Sequence, residues 1–389
     1  MKIVLVSNYK PDVQQSMLRY PEMLRRLLAR RGHEIRVVHP PAVFGGLVRN
    51  TLWGMGKWIG YIDKYVLAFP WLAWQCRGAD LVHVCDHSNA MYLRCVPRVA
   101  RVITCHDLLE VRSARGEQPA RKVGRTGQRL QRWIMNSLRT APYVICVSRK
   151  TATDLLELAP ELGGRVEVIH HTLNWSHAPA RKQDRGRVLQ SVGAKLEVPY
   201  FLHVGGGQWY KNRPGALRIF AAMRRVPEFR DTQFVMAGGQ FGDEMREIIR
   251  SEKLDGAVVE AGRVSDEDLH TLYHGALGLL FPSLEEGFGW PILEAQASGC
   301  LVITTNRAPM TEVAGGAAIL IDPEQPEAAA AVIAEQWPRR EELRARGTKN
   351  FAQFSPEKVA SAYCRAYEEA TRQQRDALMR HARSAENPQ

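Results

Sequence analysis

KIVLVSNYKPDVQQSMLRYPEMLRRLLARRGHEIRVVHP, residues 2–40, holds the pattern from which the fold follows. KIVLV is apolar without alternation, as in a parallel strand buried on both faces. Met17, Tyr20, Leu24, Leu27 and Leu28 then recur at helical spacing. Arg25, Arg26, Arg30 and Arg31 load the last turns, where cations complement the dipole, and Gly32 supplies the stop. EIRVV reads as a second strand. Strand, helix and strand within forty residues make a βαβ unit.

The grammar continues outward. LVHVCD, RVITCHD and YVICVS are further short apolar runs in the first half. It restarts near residue 200 with YFLHVGG, a helix from Pro214 to about Arg225, and then QFVMAGG, AVVEAGR, GLLFPS, LVITTN and AAILIDP. Ser265 with Asp268 reads as a capping pair opening a helix through Ala276. The fold class is therefore α/β, two doubly wound domains in tandem. The expected boundaries are 1–185, 186–360 and a terminal helix over 361–389, with the join in the polar stretch HAPARKQDRGRV, residues 177–188.

Composition narrows the function. In 389 residues, 45% hydrophobic and 24% charged, there is material for two cores, and a fibre or a disordered chain is excluded. Residues 1–190 carry 30 Lys and Arg against 14 Asp and Glu, a net of +16; residues 191–389 carry 23 against 27, a net of −4. The basic half is suited to an anionic partner: a phosphorylated substrate, a lipid surface or nucleic acid. Seven widely spaced cysteines without a CxxC read as reduced thiols of a cytoplasmic protein. MKIVLVSNYK is too short in apolar residues for a signal peptide, and no run is long enough to span a membrane.

Two segments break the pattern. Residues 52–76, LWGMGKWIGYIDKYVLAFPWLAWQC, hold four of the nine tryptophans. They read either as amphipathic core helices or as an aromatic face set in a membrane interface. Residues 112–139 contain eight Lys and Arg and one Glu, which is either a solvated surface or a polybasic patch for anionic lipid.

The chemistry concentrates in FPSLEEGFGWPILEAQASG, residues 281–299. A strand runs into a loop with Gly287 and Gly289, and Pro291 opens a helix that ends at Gly299. A glycine-bracketed loop entering a helix N-terminus is an anion site. Glu286 precedes the loop and Glu294 lies one turn into the helix. Such a carboxylate at each end suits a ligand with hydroxyls flanking a phosphate; the alternatives are a loop residue and a first-turn dipole partner. His83, Asp86 and His87 read either as a metal cluster or as strand-end residues, and their spacing matches no strong metal signature.

EGFGWPILEA resembles the E-x7-E signature of the retaining family-4 glycosyltransferases. RVSDEDLHTLYHGA, NRAPMTEVAGGAAILIDP and FSPEKVASAYCRAYEEA follow in that family's order, and HVGGGQWYKNR resembles its donor-site strand and loop. In the first half, RRGHEIRVV, ADLVHV, TCHDLL and VICVSRKTATDLL with VEVIHHTLN are similar more loosely. The resemblance implies the GT-B fold: two facing Rossmann-like domains, an interdomain cleft and a C-terminal helix returning to the N-terminal domain. It implies an N-terminal acceptor domain and a C-terminal donor domain. The activity implied is retaining transfer of a hexose from a nucleotide-diphosphate sugar to a glycan or lipid-linked acceptor, without metal or other cofactor. The Tyr-Lys-Asn run favours GDP-mannose over a UDP-sugar.

On the same resemblance, Glu294 binds the nucleotide ribose and Glu286 the hydroxyls of the transferred sugar. Lys211 neutralises the leaving diphosphate, and His106 is the N-domain histidine at the sugar. Gly287, Phe288 and Gly289 hold sugar and diphosphate through their amides, and Arg263 and Val264 contact the base. Gly206 stands where many members have Arg, leaving Arg213 and the amides of Gly205–Gly207 as substitutes. A glycine-rich loop is missing after the first strand, so Gln14, Gln15 and Ser16, with Asp86, His87 and Asp107, are the acceptor-side candidates. His171 stands where Asn is common. The expected setting is cytoplasmic, with polysaccharide synthesis on the inner membrane face. The rival readings are a nucleotide-sugar epimerase of the same fold and a polyanion-binding protein; no nucleic-acid motif supports the latter.

Overall fold

The computed structural model describes residues 1–48, 51, 54–96, 99–118, 121–173 and 184–386. The chain forms two compact units, Met1–His170 with Pro356–Gln389, and His171–Ser355. The boundary thus falls after His170 instead of at 185/186, a position inside the helix Asp184–Ser191. Residues 177–183 of the expected join, and Trp53, lie outside the described residues.

The first unit contains β1 (Lys2–Val6), β2 (Glu34–Val38), β3 (Leu81–Val84), β4 (Ala100–Cys105), β5 (Val144–Cys146) and β6 (Val166–Val168), all parallel, in the order β2-β1-β3-β4-β5-β6. Every strand but β6 was legible as an apolar run. β6 is three half-buried residues at the edge, too short and too polar to stand out. Val4 and Val6 enter the core on one face of the sheet; Ile3 and Leu5 enter the other, with the helix Gln15–Ala29.

The helix Pro356–Glu386 covers this second face. Val359, Ala360, Tyr363, Ala366, Tyr367 and Ala370 repeat at three- and four-residue steps and are buried against Tyr20, Leu24, Val102 and Ile145. A polar chain runs through the apolar contact. Tyr20 Oη lies 2.7 Å from Tyr363 Oη and 2.8 Å from Thr104 Oγ1. His83 joins Tyr367 Oη at 2.6 Å through Nδ1 and Thr104 Oγ1 at 2.7 Å through Nε2. Both ring nitrogens of His83 are thereby engaged, which removes it from the metal reading.

The second unit contains β7 (Tyr200–Gly205), β8 (Gln233–Gly238), β9 (Val258–Gly262), β10 (Gly278–Phe281), β11 (Val302–Thr305) and β12 (Ile319–Ile321). They are parallel in the order β12-β11-β10-β7-β8-β9. The order reverses between β7 and β10 here, and between β1 and β3 in the first unit. Ligands of open α/β sheets bind beyond the strand carboxyl ends at such points.

Burial lowers the pKa of His83, and of His203 on β7, to about 3. Both stay neutral in the native state, whereas the unfolded chain takes up their protons below about pH 6.5. Their contribution is therefore intact above that pH and declines as the pH falls toward 3, by up to about 1.4 kcal/mol per pH unit for each. Urea unfolding at about pH 7 and pH 5 is expected to show a clearly lower midpoint at the acidic value. Equal midpoints would mean that burial does not hold these rings neutral.

Candidate functional site

The loops after β7 and β10 are stitched together. Tyr200–Gly205 ends in the glycine run, and a single 3-10 turn, Trp209–Lys211, leads to the helix Arg213–Met223. Asn212, left-handed at φ 50°, donates from Nδ2 to Pro282 O at 3.0 Å. Leu284 N donates to Tyr210 O at 2.8 Å. These bonds bring Lys211 Nζ to 2.7 Å from Glu286 Oε1, a pair with little exposure. The ammonium also lies 5.5 Å from the centre of the Tyr210 ring and 5.3 Å from that of Phe281. A cation held by one carboxylate between aromatic rings is placed before any ligand arrives, and a phosphate can share it.

Gly205 is required for close packing: a Cβ there would stand 2.9 Å from His203 Nε2. Gly206 approaches the Gln208 side chain in the same way. Arg213 is buried, and its guanidinium donates to Gly239 O at 2.7 Å and Gln240 O at 3.2 Å while lying over Phe241. These bonds tie the end of β8 to the helix. Arg263 is exposed and Val264 half-buried in the loop after β9, directly before Ser265. Ser265 accepts from Asp268 N at 3.1 Å, the expected cap.

Gly289, at φ 101°, caps the helix Trp290–Ala297, whose second residue is Pro291. Gly287 and the buried Phe288 form the loop onto this positive dipole end. Glu294 is buried, and Tyr273 of the helix Asp266–Gly275 donates its hydroxyl to Glu294 Oε2 at 2.9 Å. Burial and the neighbouring carboxylate raise the Tyr273 pKa, so it stays a donor. Sequence reasoning attached no role to Tyr273, although it lies within one of the resembling motifs. His171, which stands where Asn is common, stacks on Trp290 at 4.3 Å and meets Phe288 edge-on at 5.1 Å. Trp290 Nε1 donates to Thr172 O at 3.1 Å, so segment 171–172 fixes the loop from outside.

The first unit has its own polar cluster beyond β1 and β3. Asn8 Nδ2 donates to Asp86 Oδ2 at 2.6 Å and to Gln14 Oε1 at 2.8 Å; Asn89 Nδ2 donates to Asn8 Oδ1 at 3.0 Å. Burial opposes ionisation of Asp86, but His87, His106, Asn8 and the Ser88 amide together hold its pKa below the usual range. His87 Nδ1 lies 3.4 Å from Asp86 Oδ1. His106 donates from Nε2 to Cys85 O at 2.8 Å, and burial, against the pull of Asp86, lowers its pKa. Asp107 caps the helix Leu109–Ala114 through the Leu109 amide, while Gln15 and Ser16 are exposed. Asn8 and Asn89 were missed; a polar residue directly after the first buried strand was the available signal. Among the described residues, no group of three or more His, Cys, Asp or Glu is placed to hold a metal ion.

This architecture is shared with solved structures. Sucrose-phosphate synthase from Thermosynechococcus elongatus superposes with a TM-score of 0.73 at 20% identity, over 95% of this chain and 99% of that one. Anabaena HepE, solved in complex with UDP and glucose, gives 0.67 at 16% identity, over 95% and 99%. The fold is GT-B. Residues 18–176 match the model described as Glycosyltransferase Family 4, and residues 184–353 match Glycosyl transferases group 1. With both halves so matched, the chain belongs to the family-4-like GT-B glycosyltransferases. Among curated relatives, O-antigen chain mannosyltransferase B of Escherichia coli is 26% identical over 79% of each chain. D-inositol 3-phosphate glycosyltransferase of Salinispora tropica is 27% identical over 79% of this chain and 63% of its own length.

The Tyr273–Glu294 bond is open to direct test. Tyr273→Phe leaves a buried carboxylate short of one donor, a loss of about 1–3 kcal/mol in stability. Denaturant unfolding is expected to show that loss, and titration calorimetry a weakened nucleotide affinity. Unchanged values in both would mean that the hydroxyl does not position Glu294.

Proposed function

We propose that this glycosyltransferase is a retaining hexosyltransferase that takes a sugar from a nucleotide diphosphate, GDP-mannose before UDP-sugars, and delivers it to a hydroxyl of a glycan or lipid-linked acceptor. The observation that carries the reading is the Lys211–Glu286 pair at the β7/β10 reversal, beside the helix N-terminus that bears Glu294. A diphosphate there meets a cation and a positive dipole end; ribose hydroxyls meet Glu294; sugar hydroxyls meet Glu286. The mannosyltransferase relatives support the choice of sugar.

In the reaction the bond between the anomeric carbon and the diphosphate oxygen breaks, and a bond from that carbon to the acceptor oxygen forms on the same face. Negative charge grows on the leaving diphosphate, where Lys211 stabilises it. The acceptor proton passes to an oxygen of that diphosphate. The acceptor belongs to the first unit, where Asn8, Asp86, His87 and Gln14 offer donors and acceptors matched to hydroxyls. The setting that fits the basic first half is the cytoplasmic face of an anionic membrane, in the synthesis of a polysaccharide.

Two substitutions test the donor assignment. Glu294→Ala, by losing a charged hydrogen bond, is expected to weaken GDP or UDP binding about ten- to a hundredfold while the fold survives. Calorimetry with unchanged affinity would remove the ribose role. Lys211→Ala is expected to lower turnover by on the order of a hundredfold or more, with a smaller effect on donor affinity. Normal turnover at saturating donor would remove the leaving-group role.

A further inference from the structure

The segment Gly54–Gln75 is one continuous helical run with a π turn, Asp63–Leu67, in its middle. Its polarity is inverted. The exposed residues are Gly54, Met55, Trp58, Ile62, Val66, Pro70, Trp71 and Trp74, without a charge among them. Met55 is 80% exposed, Trp58 58% and Trp74 57%. Of the segment's three formal charges, Asp63 and Lys64 point the other way, and Lys57 is half-buried with its ammonium 5.7 Å from the centre of the Tyr61 ring. Asp63 is fully buried and accepts from Tyr9 Oη at 2.6 Å and from the Gly45 amide at 2.8 Å. Lys64 is paired with Asp12 at 2.8 Å. Four-residue steps drift around an α-helix, and the wider π turn offsets the drift, so the apolar stripe stays on one side. Leu47, 83% exposed, lies in the loop that Asp63 anchors through the amides of Phe44 and Gly45.

The stripe has a basic flank. Trp133 of the helix Arg125–Leu138 meets Tyr65 at 5.4 Å and stacks with Phe69 at 6.5 Å. On that neighbouring helix Arg125, Arg129 and Arg132 are exposed at i, i+4 and i+7, which is one face. Tryptophans beside arginines are the composition of an interfacial helix: rings at headgroup depth, guanidinium groups on phosphates.

We infer that the apolar face of Gly54–Gln75 docks into the headgroup region of an anionic bilayer, with the arginines of Arg125–Leu138 on the lipid phosphates. The inference rests on the membrane setting proposed above and names the surface that makes the contact. Charge chooses the occupant. A second copy seated on the stripe would bring two strongly basic halves together, whereas an anionic bilayer neutralises the arginines and accepts the tryptophans.

Vesicle sedimentation and brominated-lipid quenching test it on the full chain. The wild type is expected to sediment with phosphatidylglycerol-containing vesicles, and brominated lipid is expected to quench its tryptophan fluorescence. Replacing Trp58, Ile62 and Trp74 by Ser is expected to cut partitioning at least about tenfold, with GDP binding retained. Replacing Arg125, Arg129 and Arg132 by Gln is expected to remove the preference for anionic over neutral lipid. Binding that salt abolishes, without quenching, would overturn the apolar docking and leave a purely electrostatic membrane setting. No vesicle binding would remove both. A wild-type dimer that the Ser variant dissolves, without vesicle binding, would assign the face to a second copy. Quenching in the wild type decides the matter even if the Ser variant fails to fold.

Discussion

Glu286 and Lys211 are seventy-five positions apart, yet they form a short ion pair because β7 and β10 are neighbours. The reversal of strand order leaves two loops side by side with no helix between them. Two backbone-directed bonds, from Asn212 to Pro282 and from Leu284 to Tyr210, then fix the loops against each other. The ion pair follows from that constraint, whereas Gly205 is set within β7 itself, where a Cβ would stand 2.9 Å from His203 Nε2.

The two units have different strand orders, β2-β1-β3-β4-β5-β6 and β12-β11-β10-β7-β8-β9, and their reversals carry different chemistry. At the β1/β3 reversal the groups are amides and an aspartate, linked as Asn89–Asn8–Asp86, with the His87 and His106 rings beside them. At the β7/β10 reversal they are a lysine, two glutamates and a helix dipole. The first set is suited to exchanging hydrogen bonds with hydroxyls; in the second, the lysine and the helix dipole are the parts suited to a phosphate. This division agrees with transfer from a phosphorylated donor to an uncharged oxygen.

Legibility in the sequence followed the length and apolar character of each run. The strands buried on both faces were plain as apolar runs, and β6, half-exposed and three residues long, was not. The loop 281–299 was legible because glycine, proline and two glutamates at fixed spacing state their geometry locally. Tyr273 and His171 were not, since each acts on this loop from a distant part of the chain. Arg213, a cation near a phosphate loop, has its guanidinium turned to the carbonyls of Gly239 and Gln240. The domain boundary was misplaced because polarity marked the join, whereas packing sets it at His170.

The helix Pro356–Glu386 follows the second unit in sequence but completes the core of the first. For a chain that emerges from the ribosome N-terminus first, this fixes an order of events. Residues 171–355 leave the exit tunnel and can fold while Tyr20, Leu24, Val102 and Ile145 still lack their cover. The first unit is begun first and finished last. During that interval the sheet face that Tyr363 and Tyr367 will cover is exposed apolar surface.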